Sequence, residues 1–131
     1  MSAQAQTVAS VARRGYLNGW TDDELVARQV VKLAEELGEL ADLVVMDDPQ
    51  LDSFFGALVT IRDDAKKLFD NPAHFVGAKC LDTQRAISEL TDCQVVIHVA
   101  AHALHIPDVG YSAQVKALAD EQRGVRNGKA G

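Results

Sequence analysis

A chain of 131 residues, 47 % apolar, 24 % charged and 5 % aromatic, has room for one domain built on aliphatic packing; wholesale disorder, collagen and mucin-like stalks are excluded. Thirteen basic against 19 acidic side chains leave a net charge of −6, a mean field that disfavours nucleic acid as a partner. That charge is uneven, −8 over residues 1–111 and +2 over residues 112–131, so an anion is drawn to the C-terminal segment. Cys80 and Cys93, thirteen apart and without a Cys-x-x-Cys, point to packed, reduced thiols rather than a disulfide or a zinc knuckle. Residues 1–20 lack a continuous apolar run, and no stretch nears the roughly 18 apolar residues of a membrane span. A cytoplasmic protein with no membrane contact is expected.

Glycine and proline divide the chain into five predicted helices. The first covers about Ala3 to Arg14 and ends before Gly15. Thr21-Asp22-Asp23-Glu24 matches a capping box, in which the hydroxyl and the carboxylate reciprocally satisfy free amides at a helix start. A long second helix, about Asp22 to Met46, carries an apolar stripe of Val26, Val30, Leu33, Leu37, Leu40 and Val44. Asp48-Pro49 opens a third, bearing Leu51, Phe54, Phe55, Leu58, Ile61, Ala65 and Leu68, which Asn71-Pro72 stops. Residues 71–81 read as a loop. Asp82 caps a fourth helix with Ala86, Leu90, Cys93, Ile97, Ala100 and Leu104 on one stripe, ended by Pro107, and Ser112 caps a fifth running to about Arg126 before Gly128. Strand-like alternation is missing throughout. The class is therefore all-α, an antiparallel bundle of about five helices in a single domain, 1–131.

The second helix concentrates acids: Glu35, Glu36, Glu39 and Asp42 fall within eight residues. Glu36 and Glu39, three apart, project within about 60° of each other, close enough for both carboxylates to reach one ion. The fourth helix repeats the spacing with Glu89 and Asp92. Carboxylates brought together repel unless a cation neutralises them, and an all-oxygen site with room for water suits Mg²⁺, with Mn²⁺ possible. Asp63-Asp64 is a poorer pair, because adjacent helical residues diverge by about 100°. On the fifth helix Lys116 and Arg123, two turns apart, share a face suited to phosphate oxygens.

The pattern Glu35-Glu36-x-x-Glu39-Leu40, followed by Glu89-Leu90-x-Asp92 and an aliphatic helix ending Ala103-Leu104-His105-Ile106, resembles the MazG-like all-α nucleoside triphosphate pyrophosphatases. Those enzymes share a fold with dimeric dUTPases and phosphoribosyl-ATP pyrophosphatases. The resemblance covers about residues 22–126. It implies a nucleotide pyrophosphohydrolase that uses Mg²⁺ to cleave a nucleoside triphosphate between the α and β phosphates, in a house-cleaning or pool-balancing role. Glu36, Glu39, Glu89 and Asp92 would be the metal ligands, and Glu35 would orient or deprotonate the attacking water. Lys116-x-x-x-Asp120-x-x-Arg123 is similar to the family's Lys-x-x-x-Asn-x-x-Arg signature, with Asp120 in place of Asn, so Lys116, Arg123 and Arg126 are the expected phosphate contacts. The 50 positions from Glu39 to Glu89 exceed the family's compact spacing, because the helix and loop at about 49–81 intervene. The resemblance also implies a homodimer or homotetramer.

Three further features have their own readings. His98, His102 and His105 form a stripe displaced by roughly 140° from Glu89 and Asp92, which suits a surface or subunit contact rather than metal ligation. Trp20 is a candidate to stack on a base. Set against the enzyme is a non-catalytic oligomeric helical bundle whose acids only solvate it. A di-iron carboxylate protein would need Glu-x-x-His, which neither acidic pair has.

Overall fold

Five α-helices and one 3₁₀ turn, with no strand, make up residues 1–124, the part of the chain that the computed structural model describes: α1 (Ala3–Arg13), α2 (Asp22–Ala41), α3 (Pro49–Phe69), the 3₁₀ turn Pro72–Phe75, α4 (Thr83–Ala103) and α5 (Val109–Gln122). The protein is all-α, and no helix among these residues is long and apolar enough to cross a membrane. Every α-helix starts on a short polar side chain that accepts a backbone N–H: Ser2, Thr21, Asp48, Asp82 and Asp108. Three of the five are aspartates, whose charge also suits the positive end of the helix dipole. The predicted capping box is present in full, Thr21 N–H donating to Glu24 Oε1 (3.0 Å) and Glu24 N–H to Thr21 Oγ1 (3.1 Å).

Three helix limits differ from those read in the sequence. α2 stops at Ala41 rather than near Met46, in a tight turn where Leu43 N–H donates to Leu40 and Val44 N–H to Ala41. The last turn has no basic residue to offset Asp42 at the negative end of the dipole, and the β-branched Val44-Val45 pair that follows is a weak helix former. α5 begins three residues before the predicted Ser112 cap, because Asp108 accepts Tyr111 N–H at 3.1 Å. It closes at Gln122, where Gly124 takes the left-handed φ of 76° that a side chain resists. The predicted loop at 71–81 contains the 3₁₀ turn, capped by Asn71.

The contacts divide the chain into two compact units, one of Met1–Trp20 with the chain from Leu81 onward, the other Thr21–Cys80. In the second unit α2 and α3 run antiparallel, as the order of their contacts requires: Asp42 meets Arg62, Glu39 meets Lys66 and Lys32 meets the ring of Phe69. The apolar stripe is not what packs. Val30, Leu33, Leu37 and Leu40 are all exposed, whereas Glu24, Arg28, Glu35, Gly38 and Ala41 are buried. The smallest side chains of α2 permit the closest helix approach, so Gly38 and Ala41, not the leucines, face α3. At the other end the Arg28 guanidinium lies 4.2 Å from the Phe69 ring centroid and 5.7 Å from that of Phe75. Glu24 Oε2 accepts Gly77 N–H at 2.8 Å, which fastens the 3₁₀ segment to the first turn of α2.

In the first unit α1 and α5 run parallel, with Gln6 against Gln114, Ser10 against Ala117 and Arg13 against Glu121. This pairing departs from an all-antiparallel bundle. α4 reaches α5 through a short turn in which His105 takes φ 61° and Ile106 N–H returns to Ala101. Nearly all of α4 is exposed, including Ile87, Leu90, Val96, Val99 and the predicted stripe residue Cys93, whose thiol is free and not packed; Cys80 is a half-buried free thiol. No large side chain among the described residues is fully buried.

Candidate functional site

Consecutive turns of α2 place Glu35, Glu36 and Glu39 so that one carboxylate oxygen from each lies within 4.8 Å of the others. The i to i+3 spacing of Glu36 and Glu39 brings their side chains together as the sequence predicts, and Glu35 joins from i to i+4 of Glu39. Their environments differ. Glu35 is buried, Glu39 half-buried and Glu36 exposed, so one carboxylate is fixed and another is open to solvent.

Two lysines oppose this charge. Lys32, one turn before, reaches Glu35 Oε2 at 2.9 Å and Glu36 Oε1 at 3.7 Å, and Lys66 reaches across from α3 to Glu39 Oε1 at 3.4 Å. Arg62 pairs with Asp42 at 3.3 Å and also with Asp63, which ties the α3 acid to a cation of its own. Lys66 was not marked by the sequence; in it the residue reads as part of a basic last turn of α3, and only the close approach at Gly38 brings it to Glu39. The more exposed pairs, Lys32–Glu36 and Lys66–Glu39, are weak, typically about 0–1 kcal/mol, so a divalent ion can compete with the lysines at Glu36 and Glu39, whereas Lys32 holds the buried Glu35 more closely. An all-oxygen triad with one buried and one open carboxylate fits a hard cation.

Partial burial, then the charge of Glu39, raises the Glu36 pKa above its ordinary value, and Lys32 opposes the rise. An acid whose folded pKa is raised holds its proton longer in the native state. Its effect on stability is absent below the unfolded pKa and becomes a penalty as pH rises through the folded value. Glu36→Gln is therefore expected to raise the melting temperature relative to wild type at pH 7 but not at pH 4, by the equivalent of about 0.2–0.5 kcal/mol for a like-charge pair one turn apart. Thermal melts at both pH values check it, and equal shifts at the two would contradict it.

The other predicted site residues lie in the first unit. Glu89 and Asp92 are one turn apart on α4 and both exposed. Lys116 and Arg123 lie on α5 and at its C-cap, and both pair with Asp120, Lys116 at 3.5 Å and Arg123 by a hydrogen bond. Arg14 Nη1 approaches the other oxygen of Asp120 at 4.0 Å. Burial by itself raises the Asp120 pKa, but the Arg123 hydrogen bond and the Lys116 charge outweigh it and hold the group below its ordinary value. The Asp that stands where the resemblance expects Asn thus gathers three cations. Arg14 was missed in the sequence, where Arg13-Arg14-Gly15 looks like a basic helix end. Arg126 lies outside the described residues. Trp20 is buried, 9 % exposed, which leaves little of its indole face open, and His98, His102 and His105 are all exposed.

Comparison with protein families, with curated proteins and with solved structures finds no match to this chain.

Proposed function

We propose that this protein is a Mg²⁺-dependent nucleotide pyrophosphohydrolase, which cleaves a nucleoside or deoxynucleoside triphosphate between the α and β phosphates to give monophosphate and pyrophosphate. The convergence of Glu35, Glu36 and Glu39 on α2 carries this reading. Three carboxylate oxygens within 4.8 Å of one another are a group that a divalent cation can bind, and the resemblance of Glu35-Glu36-x-x-Glu39 and Glu89-x-x-Asp92 to the MazG-like pattern supplies the reaction. Glu36 and Glu39 would hold the ion, and Glu89 and Asp92 keep the ligand role that the resemblance implies. Bound Mg²⁺ offsets the charge of the phosphate oxygens. Glu35, buried and fixed by Lys32, is suited to orient a water and take its proton as the water attacks the α phosphorus. Lys116 and Arg123 would receive phosphate oxygens, with Arg126 beside them in sequence.

We infer further that a second copy of the chain covers the apolar surface. Stripes on α2 and α4 are exposed and no large side chain among the described residues is fully buried, an arrangement that a lone chain of this size does not sustain well. The intact protein is expected to sediment as a homodimer or homotetramer, and Leu90→Asp to dissociate it; a wild-type monomer at micromolar concentration overturns this inference. The catalytic reading is tested by pyrophosphate release across natural and modified nucleotides with and without Mg²⁺. Release from at least one nucleotide that stops on chelation supports it. No release from any leaves the non-catalytic helical assembly.

A further inference from the structure

Phe69, the last residue of α3, is 3 % exposed, and its ring receives two cations from α2. Arg28 places its guanidinium carbon 4.2 Å from the ring centroid, and Lys32, one turn further along the helix, places Nζ at 5.0 Å. Both fall within the distance of about 6 Å at which the negative face of an aromatic ring attracts a cation. The ring is the fixed partner, being buried against Arg28, which is itself buried and also lies 5.7 Å from the Phe75 ring. Lys32 is the mobile one, with a four-carbon stem that loses rotamer freedom wherever it is held. The same ammonium contacts Glu35 Oε2 at 2.9 Å and Glu36 Oε1 at 3.7 Å. Pairs three and four residues apart on a helix hold a lysine weakly by themselves, so the aromatic face is a substantial part of what keeps Lys32 at these acids.

We propose that Phe69 is a positioning residue for the α2 acids: its ring seats Lys32 against Glu35 and Glu36, and so sets the concentration at which a divalent cation occupies Glu36 and Glu39. Ion and ammonium are rivals. A divalent cation on Glu36 repels an ammonium held 3.7 Å from that carboxylate, so whatever favours the seated ammonium raises the ion concentration needed to fill the site. An aromatic face does this without adding charge. A carboxylate in the same place would also seat Lys32, but its own negative charge would draw the ion and cancel the effect. The contact stands on geometry; its effect on ion binding rests on the metal reading of the acids proposed above.

The test is Mn²⁺ binding to the full chain, followed by water-proton relaxation, with phenylalanine or pentafluorophenylalanine at position 69 and with or without Lys32→Met. Fluorination keeps the ring and drains its negative face. It is expected to tighten Mn²⁺ binding by roughly two- to fivefold while Lys32 is present. In Lys32→Met, which itself binds Mn²⁺ more tightly than wild type, fluorination is expected to change nothing. Arg28 shares the ring, and this second arm separates the part played by Lys32 from a general loosening of α3, which would move both arms alike. No change with Lys32 present, or an equal change in both arms, overturns the proposal. A second measurement needs no variant: the Lys32 Hε protons are expected upfield of their ordinary position through the ring current of Phe69, and Mg²⁺ to return them towards it. Saturation with Mg²⁺ that leaves them in place also overturns the proposal. Mn²⁺ binding that is indifferent to the ring removes the role of Phe69 and leaves the metal reading; a wild-type chain that binds no Mn²⁺ removes both.

Discussion

Gly38→Ala is expected to destabilise the Thr21–Cys80 unit by about 3 kcal/mol, at the upper end of the usual cost of overpacking. A Cβ at this position would lie 2.5 Å from the Leu58 carbonyl oxygen and closer still to Arg62 Cβ. Both obstacles belong to the α3 backbone or its first side-chain atom, so no rotamer change relieves them and the helices must separate. Alanine favours a helix over glycine by about 0.5–1 kcal/mol, which offsets only part of that cost. Gly56→Ala is the control, because a Cβ there meets nothing within 4 Å and the helical gain should appear as added stability. Urea or thermal melts of the two variants are expected to shift in opposite directions. Separation of α2 from α3 would also withdraw Lys66 from Glu39, so the Gly38 variant changes the charge around the acids without altering any of them.

Local chemistry made much of this fold legible. Helix starts depend on a few adjacent atoms, and three of the five caps, Thr21, Asp48 and Asp82, follow from a Thr or Asp next to an apolar period or a proline; Ser2 is not signalled in this way, and at Asp108 the competing signal is Ser112, four residues later. Helix pairing was less legible. Periodicity identifies an apolar face, but not which partner covers it, and on α2 the closest contact within the chain goes to the small residues at Gly38 and Ala41 while the leucine stripe stays exposed. Hydrophobic pattern and intramolecular packing part company here, as they would if the second copy proposed above covers that face. The same limit applies to the site. The spacing of Glu35, Glu36 and Glu39 on one helix places their oxygens together, because three- and four-residue intervals are fixed by helical geometry. Lys66 and Arg14 come from other helices, and no local rule assigns them to the acids or to Asp120.

Substitutions of the acids should separate a metal-holding role from a water-activating one. Glu36→Gln and Asp92→Asn are expected to lower kcat/KM for pyrophosphate release by about a hundredfold or more, equivalent to about 2.7 kcal/mol of lost transition-state stabilisation. Each removes one charged oxygen donor. Raising the Mg²⁺ concentration should therefore restore part of the rate, since weaker ion binding is compensated by mass action. Glu35→Gln is expected to lose roughly 10²–10⁴ in kcat, the usual contribution of a positioned base, and added Mg²⁺ should not recover it. Removal of Lys32 gives a converse case: it frees Glu35 and Glu36 from their 2.9 Å and 3.7 Å partner, so less Mg²⁺ should be needed for half-maximal rate. A uniform loss across all these variants, insensitive to Mg²⁺ and accompanied by lowered melting temperatures, would mean that the acids matter to the fold and not to an ion. Turnover that survives Glu36→Gln unchanged would remove the α2 cluster from the reaction, because a ligand's loss cannot be neutral when the ion it binds offsets the charge on the phosphate.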